Sequence, residues 1–108
     1  MNTLTNVLID EFNSHAIHLN FDLDGIEHFA TLSIGNHTFE IIDESFAHEF
    51  GIQKAFSYEF DAHLYLTYLE DSEGVETTLD EDVLVNLKKV VLEKMQEMSP
   101  QEMYEIFH

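Results

Sequence analysis

The chain predicts an α+β fold: an antiparallel sheet of about four to five strands with helices packed on one face and a long C-terminal helix. Three observations carry this expectation. Residues 16–24 and 55–69 alternate apolar and polar side chains, the period of a half-buried strand. Asp24-Gly25 is a hairpin signal between two such runs. Residues 80–98 instead repeat apolar side chains at helical spacing. With 108 residues, 44% of them hydrophobic and including nine Phe and four Tyr, residues 1–108 suffice for one core and are too few for two ordinary domains.

The elements follow in order. Thr3 or Thr5 can cap a short first helix in which Leu4, Leu8 and Phe12 form a stripe, ending near Asn13-Ser14. In AIHLNFDLDG, Ile17, Leu19, Phe21 and Leu23 face one way while His18, Asn20, Asp22 and Asp24 face the other. After the Asp24-Gly25 turn, HFATLSI places Ala30, Leu32 and Ile34 on one face, and Gly35-Asn36 is expected to turn the chain into a further strand, HTFEII. Asp43 or Ser45 can cap a helix of one to three turns carrying Phe46 and Phe50 and ending at Gly51.

The run AFSYEFDAHLYLTYL reads as one long strand, or two with a break near Asp61-Ala62. Phe56, Tyr58, Phe60, Ala62, Leu64, Leu66 and Tyr68 take the core phase, which leaves Tyr65 on the polar face with Glu59, Asp61 and His63. Thr78 or Asp80 caps the longest helix, running to about Met98, with Val83, Leu84, Leu87, Val90, Val91, Met95 and Met98 on its apolar face. Ser99-Pro100-Gln101-Glu102 has the pattern of a capping box with proline at the first helical position, opening a last turn or two that buries Met103, Ile106 and Phe107.

Charge is the most unusual property. The chain has 22 Asp and Glu against Lys54, Lys88, Lys89 and Lys94, no Arg, and a net charge of −18. Solubility of a small domain requires a magnitude of only about 2–8, and the excess repels itself. Residues 70–82, EDSEGVETTLDED, hold Glu70, Asp71, Glu73, Glu76, Asp80, Glu81 and Asp82 with no lysine between them. Favourable interaction with a helix dipole accounts for Asp80, Glu81 and Asp82, and leaves the other four unexplained. Disordered acidic chains lack this many aromatic residues, so the charge is expected on a folded scaffold.

Several function classes are disfavoured. Without arginine and with few lysines, direct binding to nucleic acid or to an anionic membrane is not expected. The lack of cysteine removes disulfides, thiolate nucleophiles and zinc–thiolate sites. The opening MNTLTNVLIDEF has no basic segment or sustained apolar run, so a cytoplasmic location is expected.

Three weaker patterns bear on metal or catalysis. Asn20, Asp22, Asp24 and Gly25 resemble the start of a calcium loop, but Thr31 stands where a bidentate Glu is needed, and the hairpin reading prevails. His15 and His18, with Asp10 or Glu11, have metal-like spacing but no second pair of ligands. His63 near Glu59 and Asp61 could act as a general base, yet no nucleophile elbow or phosphate loop accompanies it. Neither a cofactor nor an enzymatic activity is expected.

In charge class, size, lack of Arg and Cys, and aromatic content, the chain resembles the small acidic bacterial or phage DNA-mimic proteins. The resemblance is compositional over the whole chain and carries no motif, so no residue role transfers. It implies a protein that binds a basic DNA-binding protein, such as a histone-like protein, repressor or nuclease, at its DNA surface. The residues expected to meet that partner are Asp22, Asp24, Glu27, Glu59, Asp61, Tyr65, Glu70, Asp71, Glu73, Glu76, Asp80, Glu81 and Asp82. The chain is expected to act as a monomer or small homo-oligomer. Alternatives are an immunity protein or phage inhibitor directed at a nuclease or defence complex, and a divalent-metal-binding protein.

Overall fold

The structure, a computed structural model, describes residues 3–43 and 57–107. Strands β1 (Leu4–Phe12), β2 (Ala16–Leu23), β3 (Ile26–Asp43) and β4 (Ser57–Asp71) precede helices α1 (Glu81–Gln96) and α2 (Pro100–Phe107). The strands form one antiparallel sheet in the order β1-β2-β3-β4, so the α+β class and the strand count agree with expectation. The helix expected after Asp43 or Ser45 lies outside the described residues.

The predicted first helix is instead the edge strand β1. A spacing of four fits a helical turn and is also twice the strand period, so Leu4, Leu8 and Phe12 could not discriminate. The β-branched residues Thr5, Val7 and Ile9 between them favour the strand. β1 pairs with β2 from Leu4↔Leu23 to Phe12↔Ile17, with irregularities between Thr5 and Leu8 and between Ile9 and Glu11. Asn6 sits at the first of these with a left-handed φ of 54°. Val7 is consequently buried while Leu8 is 57% exposed.

β2 follows its alternation, with Ile17, Leu19 and Phe21 buried. Asp24 and Gly25 both have positive φ, 53° and 82°, as a two-residue hairpin of the mirror-image type requires. The expected turn at Gly35-Asn36 is absent, because β3 runs straight through it for 18 residues. Those two residues oppose His63 alone, between the pairs Ile34↔Leu64 and His37↔Ala62, which makes them a β-bulge.

β4 is a single strand without a break at Asp61-Ala62. Phe60 and Leu64 are buried as phased, but an irregularity at Thr67, between Thr31↔Tyr68 and Leu32↔Leu66, inserts one residue. The phase flips there. Leu69 becomes the buried residue, and Tyr68, assigned to the core by strict alternation, is 42% exposed.

The buried residues of α1, Val83, Leu87, Val91 and Met95, recur along one stripe. Leu87, Val91 and Met95 join Ile17, Leu19, Phe21, Leu32 and Phe60 in one core cluster. Asp80 opens α1, its carbonyl accepting the Leu84 N–H, and Glu81 and Asp82 occupy the first turn. The long helix is thus the penultimate element. The C-terminal helix α2 has only eight residues, because Ser99-Pro100 restarts the chain after Glu97. Its Met103 is fully buried, and the Phe107 ring lies 4.6 Å from Phe60 and 6.3 Å from Phe12.

Both outer strands, β1 and β4, touch α1, which a twisted sheet allows by curling around the helix. The contact also protects a strand edge. The side chain of Gln96 donates to the Phe60 carbonyl at 2.8 Å and accepts its N–H at 2.9 Å, satisfying backbone groups that face away from β3. Two residues earlier on the strand, the Tyr58 hydroxyl lies 2.6 Å from the Met95 carbonyl and 2.8 Å from that of Met98 at the end of α1. Burial, seconded by the charge of Glu102, raises the Tyr58 phenol above its ordinary pKa, and its hydrogen bond to Met98 opposes the shift.

Candidate functional site

Strand register gathers distant parts of the sequence at one end of the sheet. Asp22 pairs with Glu27 across the β2–β3 hairpin, and Phe29 and His28 at the start of β3 pair with Glu70 and Asp71 at the end of β4. The chain then bends back, with a bridge between Glu70 and Glu76. Leu4, at the start of β1, lines one shallow depression with Asp80 and Asp82 of the α1 N-terminus. Asp22, Asp24, Glu27, Glu70, Asp71, Glu73, Glu76, Asp80, Glu81 and Asp82 therefore share one pole, assembled from two chain segments, 22–27 and 70–82.

Four of the carboxylates at this pole, those of Asp22, Asp24, Glu70 and Asp71, are held by local hydrogen bonds. Asp24 accepts the Thr3 N–H at 2.7 Å, and Asp22 accepts the Asn6 amide at 2.7 Å. Asp71 closes its own turn by accepting the N–H groups of Glu73 and Val75 at 2.9 and 3.1 Å. Glu70 accepts the Tyr68 hydroxyl at 2.6 Å. That hydrogen bond is the main cause raising the Tyr68 phenol above its ordinary pKa, followed by desolvation and by the charges of Glu70 and Glu76. Such bonds orient carboxylates without neutralising them.

Glu59 and Asp61 do not belong to this pole. They lie about ten residues back along β4, about 30 Å away at the usual strand rise. There Glu59 directly opposes Glu40, a like-charge pair absent from the expected set, and Asp61 opposes Thr38. These side chains line a groove of ≈ 570 Å³ beside α1 together with Lys88 and Lys89. Lys88 and Lys89 thus line the groove with this second group, and of the two Lys88 also lines the cleft beside Glu76 of the first.

Tyr65 is 55% exposed on the solvent side of the sheet, as its phase predicts. Two further aromatic residues on that side were not among the expected contacts, Phe29 and Tyr68, 37% and 42% exposed. Phe29 was legible: it shares the phase of Thr31 and Ser33, opposite to Ala30 and Leu32. Tyr68 was not, because the irregularity at Thr67 has no sequence signature.

The metal and catalytic patterns do not converge. Asp22 is bound to Asn6, Asp10 is bound to Asn20, and His18 lies 3.2 Å from the Thr31 hydroxyl. Among the described residues no group of three or more His, Asp or Glu side chains could hold a metal ion. His63 and Asp61 line a small depression with Asn36 and His37. No helix among the described residues is long and apolar enough to cross a membrane. Compared with protein-family models, curated proteins and solved structures, the chain matches none.

Proposed function

We propose that this protein is a DNA mimic, a cytoplasmic, non-catalytic protein that docks on the DNA-binding surface of a basic nucleic-acid-binding protein and competes with DNA. The acidic pole carries the proposal. Ten carboxylates, Asp22, Asp24, Glu27, Glu70, Asp71, Glu73, Glu76, Asp80, Glu81 and Asp82, crowd one end of a molecule 23 × 22 Å in cross-section. Duplex DNA carries about one charge per 1.7 Å of axis, so about 17 Å of duplex presents the same number. The two charge densities are of one order. A basic protein shaped for the duplex meets comparable charge here, carried by paired strands, the turns that close them and the first turn of α1.

In this reading both helices cover the concave face of the sheet, and the convex face and acidic pole are left to the partner. The partner is a histone-like protein, repressor or nuclease, and a monomer or small homo-oligomer of this chain suffices. Association is fast and strongly salt-dependent, since it is driven by charge. The test is displacement of labelled duplex DNA from a basic histone-like nucleoid protein. A several-fold excess of this protein releases DNA at about 50 mM salt and less of it at about 200 mM. Failure to release DNA at the lower salt refutes the proposal.

A further inference from the structure

The solvent side of the sheet adds a feature that charge does not explain. Phe29, Thr31 and Ser33 share one face of β3, Tyr68 stands opposite Thr31, and Tyr65 stands opposite Ser33. Neighbours on one sheet face lie about 5–8 Å apart, so the three rings form one patch. Two of the rings are held in place. The Tyr68 hydroxyl is bound to Glu70. The Tyr65 ring lies across Gly35, where a Cβ would come within 2.6 Å of its Cε2. Glu70 stands opposite Phe29, and beside Tyr65 and Tyr68 a cleft of ≈ 500 Å³ opens toward Glu76, Leu79 and Leu84, with Lys88 also on its wall.

Charge selects among the occupants such a patch could take. Nucleic-acid bases stack on exposed rings, but their phosphates would meet Glu70, Glu76 and a net charge of −18. A second copy of the chain would bring the same charge. Arginine satisfies both halves of the patch, because its planar guanidinium stacks on aromatic faces while its N–H donors pair with a carboxylate. Lysine satisfies the charge alone.

We infer that Phe29, Tyr65 and Tyr68, with Glu70 and Glu76, form an arginine-selective docking patch that takes exposed arginine side chains of a basic partner protein in preference to lysine. This rests on the docking function proposed above and narrows the chemistry of the partner. The test uses the full chain and fluorescent nona-arginine, nona-lysine and oligothymidylate probes, with anisotropy read at low and moderate salt. Nona-arginine binds about fivefold or more tighter than nona-lysine, as stacking on two or three rings implies. Gly35→Ala, which displaces the Tyr65 ring without altering charge, and Tyr68→Leu each bring the ratio toward one and leave nona-lysine affinity unchanged. Circular dichroism confirms that both variants fold. Equal affinity of the unmodified protein for the two peptides, or a preference that survives both substitutions, overturns the arginine patch but leaves acidic docking standing. Binding of neither peptide removes both. Binding of oligothymidylate with neither peptide bound also overturns both, and assigns the patch to single-stranded nucleic acid.

Discussion

Tyr58 ties β4 to the end of α1 through one hydroxyl placed between two carbonyls, those of Met95 and Met98. Replacing it by Phe removes that donor from both carbonyls, of which Met95 keeps backbone N–H donors at the end of α1. Tyr58→Phe therefore lowers stability by about 1–2 kcal/mol in urea unfolding at neutral pH. The pH dependence has a definite sign. Because the phenol pKa is raised in the folded state, its contribution is complete below the unfolded value of about 10 and is lost as pH rises through the folded value. Tyr58→Phe accordingly loses less stability than the unmodified protein above pH 10. An equal alkaline loss in both proteins contradicts this assignment. Single residues were legible where local chemistry decides. Asp24-Gly25 supplies the positive φ its turn requires, whereas Gly35 resembled a second turn because its actual role, making room for the Tyr65 ring, is set by a strand about 30 residues away.

Elements were legible wherever one period was unambiguous. β2 and α1 carry long runs of a single period, two and 3.6 respectively, and their buried residues are those expected. β1 was misread because its apolar spacing suits both periods, and the pairing that settles the matter comes from β2. The irregularities at Gly35-Asn36 and Thr67 were hidden for a related reason: an extra residue in one strand is defined only by its partner's register. At this scale Gln96 is the residue to test, since it closes the β4 edge at Phe60. Gln96→Ala costs about 1–3 kcal/mol in unfolding, because a backbone donor and acceptor lose their partner. Faster amide exchange at Phe60 accompanies it. Unchanged exchange there means that the edge is protected in some other way.

The whole molecule balances a packed core against its own charge. Self-repulsion at −18 destabilises the folded state, so added salt raises the thermal midpoint, as differential scanning fluorimetry over about 0.02–0.5 M salt reads directly. A fall in the midpoint over that range contradicts it. The size of the excess charge was plain from composition, and so was the acidity of residues 70–82. Its distribution was not legible, because only strand register brings Asp22, Asp24 and Glu27 to the same pole and carries Glu59 and Asp61 away to the lysine-lined groove.

In the proposed docking the pole, and not acidity at large, meets the partner. Two variants, compared in the displacement of DNA from a histone-like protein, separate these. One neutralises the pole (Glu70→Gln, Asp71→Asn, Glu73→Gln, Glu76→Gln) and the other the groove (Glu40→Gln, Glu59→Gln, Asp61→Asn). The pole variant, folding at least as well as the unmodified protein, needs about tenfold or more protein to release the same DNA, with a shallower salt dependence. The groove variant stays within about twofold of the unmodified protein, since its carboxylates already face lysines. Equal losses in the two variants, or a larger loss from the groove, would contradict the account.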